Sequence, residues 1–130
     1  MMPNEKLKLL LVDDAPMIRQ VLALFLSRTF HVTTCEDGAI ALHQLQLGYV
    51  PDMIVTDYEM PNMDGLQFTR AVRTMRLNCP VLMASSIKDP AMCQTALEAG
   101  VNTYLVKPVL PLELKREILA LLENPTSAHD

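Results

Sequence analysis

Hydrophobic positions along the chain follow two rhythms. Five short runs are apolar almost without a break: "LKLLLV" at 7–12, "HVTTC" at 31–35, "DMIVTD" at 52–57, "PVLMAS" at 80–85 and "TYLVK" at 103–107. A strand with one solvated face alternates apolar and polar residues, so most of these runs predict strands covered on both faces. Between the runs, apolar residues return every three or four positions. Ile18, Val21, Leu22 and Phe25 do so, as do Phe68, Val72 and Met75, and then Leu114, Ile118, Leu121 and Leu122. That spacing predicts amphipathic helices.

The punctuation agrees with this division. Pro16 and Pro90 sit where a first helical turn tolerates a missing N–H, Asp64 can cap a helix opening at Gly65, and Gly48 and Gly100 stand where helices end. Strands that alternate with helices must pair in parallel through right-handed crossovers, which puts helices on both faces of the sheet. The predicted fold is α/β, a doubly wound five-stranded parallel sheet in a three-layer sandwich. No Gly-, Ser- or Pro-rich linker and no repeat divides the chain, and 130 residues that are half hydrophobic suit a single core. One domain is expected over 1–124, with 125–130 as a flexible C-terminal tail.

Charge and cysteine content narrow the functional classes. Eleven Lys and Arg against fifteen Asp and Glu give a net charge of −4, with no basic run to track a phosphate backbone, so direct nucleic-acid binding is not expected. No apolar run approaches the ~18 residues of a membrane span, and "MMPNEKLK" does not read as a signal peptide. A cytoplasmic protein that does not enter a membrane is expected. Cys35, Cys79 and Cys93 are odd in number and share no ligand spacing with His31, His43 or His129, which fits reduced, structural thiols.

Every strand of a parallel sheet ends at the same edge, so the residues that close the strands meet in space. Here the first run ends on Asp13 and Asp14, the third on Asp57, the fourth on Ser85 and the fifth on Lys107. Taken singly, each is ordinary: an Asp or Ser can cap a helix or open a turn, and a Lys can be a solvated strand end. Five such coincidences at one edge are another matter. Clustered carboxylates repel one another unless a hard cation neutralises them, and an oxygen-rich octahedral site suits Mg²⁺. A bound Mg²⁺, the Lys107 ammonium and the Ser85 hydroxyl are the equipment of phosphoryl transfer, and Asp57 is a plausible nucleophile for an acyl phosphate.

The segments "LLVDDAP", "EDGAIAL", "VTDYEMPNMDG", "VLMASS" and "YLVKPV" together resemble the receiver domain of bacterial response regulators, the CheY-like modules of two-component signalling, over nearly the whole chain. The resemblance implies the flavodoxin-like strand order 2-1-3-4-5. It implies Asp57 as phosphoacceptor, Asp14 as direct Mg²⁺ ligand, Asp13 holding a metal-bound water, and the Glu59 backbone carbonyl completing the protein ligands, with Mn²⁺ able to substitute. Lys107 would be the phosphate counter-charge, aimed by a cis bond to Pro108. Ser85 would be the switch hydroxyl and Tyr104 the aromatic side chain that follows it inward.

Ser85 stands where threonine is frequent and lacks the methyl group that stiffens its rotamer. Ser86 is still small enough to admit a phosphoryl group, and Glu59 and Ile87 occupy positions that tune its loss. The implied partners are a sensor histidine kinase or histidine phosphotransfer protein. With no DNA-binding or catalytic segment before Asp130, an output protein or a second copy is expected on the face of residues 89–123. On this reading the chain is a phosphoacceptor module rather than an enzyme that turns over an external substrate. Two other classes fit less well. A phosphohydrolase with an aspartyl-phosphate intermediate usually carries Asp-x-Asp after its first strand, and a flavodoxin-like electron carrier needs a Ser-, Thr- and Gly-rich phosphate loop where this chain has "DDAPMIR".

Overall fold

The computed structural model describes residues 5–123, so the tail expected at 125–130 lies outside the described residues. Five strands and five helices alternate along the chain: β1 Lys8–Val12, α1 Pro16–Leu26, β2 His31–Cys35, α2 Gly38–Gln46, β3 Met53–Asp57, α3 Gly65–Thr74, β4 Val81–Ser85, α4 Pro90–Ala99, β5 Thr103–Val106 and α5 Pro111–Glu123. All pairings are parallel and the sheet order is β2-β1-β3-β4-β5.

The unbroken apolar run of β1 has a direct structural meaning, because successive side chains leave the sheet on opposite faces. Leu9 and Leu11 pack with Leu26, Phe30, Leu114 and Ile118, from α1, α5 and the turn after α1. Leu10 and Val12 pack with Ala41, Leu45, Phe68, Val72 and Ala96, from α2, α3 and α4. Each fully buried leucine contributes about 1.5–3 kcal/mol. The edge strands β2 and β5 are only partly covered.

Helix ends follow the local chemistry. Pro16 and Pro90 open α1 and α4, and Asp89 caps α4 by accepting the Ala91 N–H. Asp64 and Gln67 form a reciprocal capping box at α3. Gly100 ends α4 at φ 113°, a left-handed conformation that only glycine adopts without strain.

In two places the apolar pattern overstates burial. Met75 lies just past the end of α3 and is 37% exposed, while Ile18 and Val21 on α1 are 55% and 54% exposed. These two α1 side chains border an open cleft rather than the core. No described helix is long and apolar enough to cross a membrane, and Cys35, Cys79 and Cys93 are free thiols.

Candidate functional site

The sheet order puts β1 beside β3, β3 beside β4 and β4 beside β5, so four C-terminal strand ends adjoin. This is where strand order reverses and where open α/β sheets place their sites. Asp13 follows β1, Asp57 is the last residue of β3, Ser85 the last of β4, and Lys107 follows β5. The Lys107 N–H bonds the Ser85 carbonyl at 2.9 Å, so the sheet registry fixes the lysine backbone, and its bond to Pro108 is cis.

A close backbone approach fixes the loop after β3. The Gly65 N–H donates to the Tyr58 carbonyl at 2.9 Å, and a Cβ on Gly65 would meet the Asp57 carbonyl oxygen. Only glycine lets α3 begin directly against the end of β3. That accounts for the Asp-Gly closing "VTDYEMPNMDG".

Asp13, Asp14 and Asp57 each bring a carboxylate oxygen to within 4.8 Å of the others. Asp13 and Asp57 are buried and Asp14 is exposed, which gives an acidic pocket able to bind a metal ion and open to solvent on one side. Asp13 also accepts the Ala15 N–H at 2.9 Å, so part of its side chain shapes the entry to α1. The two Asp57 oxygens differ. Oδ1 pairs with Lys107 Nζ at 2.9 Å, whereas buried Oδ2 receives no hydrogen bond among the described residues.

Burial, then the nearby Asp13 carboxylate, pushes the Asp57 pKa up to about 7 against the opposing pull of Lys107. Lys107 is itself shifted upward: burial opposes its charge, but its bond to Asp57 and the surrounding carboxylates outweigh that cost. A buried carboxylate oxygen without a donor, beside two further carboxylates, is the donor set a hard divalent cation completes.

On the other side of Asp57, the loop after β4 is tied into a chain of hydrogen bonds. The Ser85 hydroxyl, fully buried, donates to Glu59 Oε1 at 2.7 Å and accepts the Ile87 N–H at 3.1 Å. The Ile87 carbonyl accepts the Tyr104 hydroxyl at 2.7 Å. Ser86 donates to Glu59 through its backbone N–H at 3.2 Å and its hydroxyl at 3.3 Å. Burial works against the Glu59 charge, but these donors, together with Lys107, lower its pKa.

Beside the acidic pocket, a cleft of about 630 Å³ runs between α1 and the β5–α5 connection, lined by Met17, Ile18, Val21, Val109 and Leu114 and reaching Asp57 and Lys107. Of the residues expected at this edge, the structure brings Asp13, Asp14 and Asp57 together and pairs Lys107 with Asp57, while Ser85 and Tyr104 meet through Ile87. Sequence reasoning gave neither the engagement of the Glu59 side chain nor this cleft. The 3–4 spacing gave α1 an apolar face, of which Ile18 and Val21 are more than half exposed.

Fold and site together define a doubly wound α/β protein with an acidic pocket at the sheet's switch point. Residues 9–119 match the family model for the response regulator receiver domain. The chain is 39% identical over 129 residues to the ycf27 transcriptional regulator of Cyanophora paradoxa, covering 96% of this chain and 53% of that protein. It is 35% identical over 116 residues to a CheY chemotaxis homologue of Campylobacter jejuni, covering 86% of this chain and 89% of that one. Among solved structures, the receiver domain of Mycobacterium tuberculosis NarL superposes with a TM-score of 0.82 at 32% identity, over 92% of this chain and 98% of that one. The Vibrio cholerae chemotaxis regulator CheY4 gives 0.83 at 33% identity, over 89% and 98%.

The chain belongs to the response regulator receiver family, whose members are signalling modules of two-component systems. It spans about half the length of the ycf27 and NarL relatives and most of the length of the CheY homologue.

Proposed function

We propose that this receiver domain takes a phosphoryl group from a histidine kinase or histidine phosphotransfer protein onto Asp57, in the cytoplasm, and passes the signal on through a protein-interaction face. The observation that carries this reading is Asp57 itself. It is buried at a strand end, has one oxygen paired to Lys107 and the other without a donor, and faces Asp13 and Asp14.

In the proposed step a carboxylate oxygen of Asp57 attacks phosphorus and forms an acyl phosphate. The phosphorus–nitrogen bond to the donor imidazole breaks, and the imidazole keeps its electron pair. Asp13, Asp14, Asp57 and the Glu59 backbone carbonyl would hold Mg²⁺ or Mn²⁺, which supplies counter-charge to the transferring group. Lys107 adds a second positive charge at the Asp57 side chain, and Ser85 and Ser86 offer neutral donors to phosphoryl oxygens.

Two surfaces suit the two kinds of partner. The α1 face exposes Met17, Ile18, Val21 and Leu24 beside the cleft that leads to Asp57, which suits the apolar helices of a phosphodonor protein. The Tyr104–Ile87 bond ties the β4–α4 loop to β5, so a shift of Ser85 reaches the output face of residues 89–123, where a separate protein or a second copy would bind.

The test is phosphorylation by acetyl phosphate with and without Mg²⁺, followed by mapping of the modified residue. Metal-dependent modification that disappears in Asp57→Asn is the expected result. Full modification in excess chelator, or phosphate on a serine, would defeat the proposal.

A further inference from the structure

Two donors stand at the C-terminal end of β4 and just after it, the Ser85 hydroxyl and the Ser86 amide, and both are already occupied. Glu59 Oε1 takes the Ser85 proton at 2.7 Å and also accepts the Ser86 N–H at 3.2 Å. The Ser86 hydroxyl reaches both Glu59 oxygens, at 3.3 and 3.4 Å. Ser85 is 0% exposed, and a hydroxyl carries one proton, so the proton given to Glu59 is not available to a phosphoryl oxygen. A second anion at the same donors would also meet the Glu59 charge.

The same contacts order the rest of the loop. With its proton committed to Glu59, Ser85 Oγ turns a lone pair to the Ile87 N–H, and Ile87 in turn accepts the Tyr104 hydroxyl through its carbonyl. Tyr104, Ile87, Ser85 and Glu59 thus form one continuous series that ends on a carboxylate.

We infer that the Glu59 side chain is an internal stand-in for the phosphoryl group: a positioning residue that holds Ser85 and Ser86, keeps Tyr104 anchored on Ile87 in the unphosphorylated chain, and is displaced when Asp57 is modified. The inference rests on the phosphoacceptor reading of Asp57. It assigns to the Glu59 side chain a task separate from that of its backbone carbonyl, which a substitution at this position retains. Two consequences follow from the geometry. The loop is ordered before the signal arrives, and the incoming group must win its donors from a resident competitor.

The experiment is an amide-resolved NMR titration of the Mg²⁺-loaded chain with beryllofluoride, a phosphoryl mimic, together with hydrogen exchange at Ile87 in the unliganded state. Glu59→Ala, at an exposed position, should bind beryllofluoride about three- to tenfold more tightly than wild type, the worth of one net hydrogen bond. Its Ile87 amide should exchange faster. Glu59→Gln, whose amide oxygen can accept the same Ser85 proton, should keep the Ile87 protection of wild type. The tightening should vanish when Glu59→Ala is made in a Ser85→Ala background, because no contested proton remains.

Equal tightening in both backgrounds would show that removal of charge alone is responsible and would overturn the inference. Unchanged Ile87 exchange in Glu59→Ala would do the same. A wild-type chain that does not bind beryllofluoride, or an Asp57→Asn chain that binds it equally well, would instead overturn the phosphoacceptor reading beneath it.

Discussion

The backbones of Asp57 and Gly65 approach so closely that a methyl group on Gly65 would lie 2.1 Å from the Asp57 carbonyl oxygen. The end of β3 and the start of α3 are therefore packed backbone against backbone. Gly65→Ala must push the two apart. The expected cost is about 1–3 kcal/mol of stability, as for other overpacked sites, with a loss of metal affinity because Asp57 moves relative to Asp13 and Asp14. Urea unfolding and a Mg²⁺ titration of the same variant check both. A variant of wild-type stability and metal affinity would show that the loop yields freely.

The raised pKa of Asp57 makes the metal-free chain sensitive to pH. Its folded pKa of about 7 lies above the ordinary carboxylate value, so the folded state binds the proton more tightly than the unfolded state does. The contribution to stability is fully present below about pH 4 and is lost as pH rises through 7. Without metal, stability should fall across this window in wild type but not in Asp57→Asn. Saturating Mg²⁺ should remove most of the difference, and thermal melts at stepped pH with chelator or Mg²⁺ measure it.

Arg73 is predicted to be a structural hub unrelated to phosphorylation. Its guanidinium donates to the Leu77 and Cys79 carbonyls, to the Gly100 carbonyl from two nitrogens, and to Asn102 Oδ1. These bonds tie the end of α3 to the α3–β4 and α4–β5 connections. Lysine cannot reproduce the planar fork, so Arg73→Lys should destabilise the chain by about 2–4 kcal/mol while leaving metal-dependent phosphorylation of the folded fraction intact. Chemical denaturation paired with acetyl phosphate labelling separates the two effects.

The exposed apolar face of α1 should distinguish protein donors from small ones. Val21→Glu and Leu24→Glu alter side chains that are 54% and 74% exposed, so folding should tolerate them. Transfer from a cognate histidine kinase should slow by tenfold or more, the scale at which truncating an interface anchor is felt. Labelling by acetyl phosphate should stay at the wild-type rate. Equal losses with both donors would place the damage in the site rather than at a docking surface.

Lys115 of α5 holds its ammonium 5.8 Å from the Phe25 ring centroid of α1, so charge reversal there would disturb the α1–α5 contact as well as the proposed output face.

The architecture was legible because its signals are local. Runs such as "LKLLLV" admit few readings other than a doubly covered strand, and strands that alternate with helices leave few topologies. The meeting of Asp13, Asp57, Ser85 and Lys107 followed from the topology, since position at a strand end is a backbone property. What escaped depends on where side chains point from loops and on what covers a surface. Glu59 could be placed two residues beyond Asp57, but its reach across to Ser85 is set by the fold of two loops. On α1, the 3–4 spacing of Ile18, Val21, Leu22 and Phe25 identified an apolar face without saying that part of it has no neighbour. Arg73 gave no sequence signal, because its acceptors are mainly backbone carbonyls.

The alternation of leucines along β1 sends them into two apolar volumes that the sheet keeps apart, one beneath α1 and α5 and the other beneath α2, α3 and α4. A wall of this kind makes the domain evolvable in halves. Substitutions that reshape the α1 side, where a donor is proposed to dock, need no compensating repacking around Phe68 and Val72, which lie across the sheet. Asp13, Asp57 and Ser85 stand at the strand ends, outside both apolar clusters. A lineage of such chains can therefore vary the packing on one face while the side chains on the other face, and the carboxylates at the rim, stay where they are.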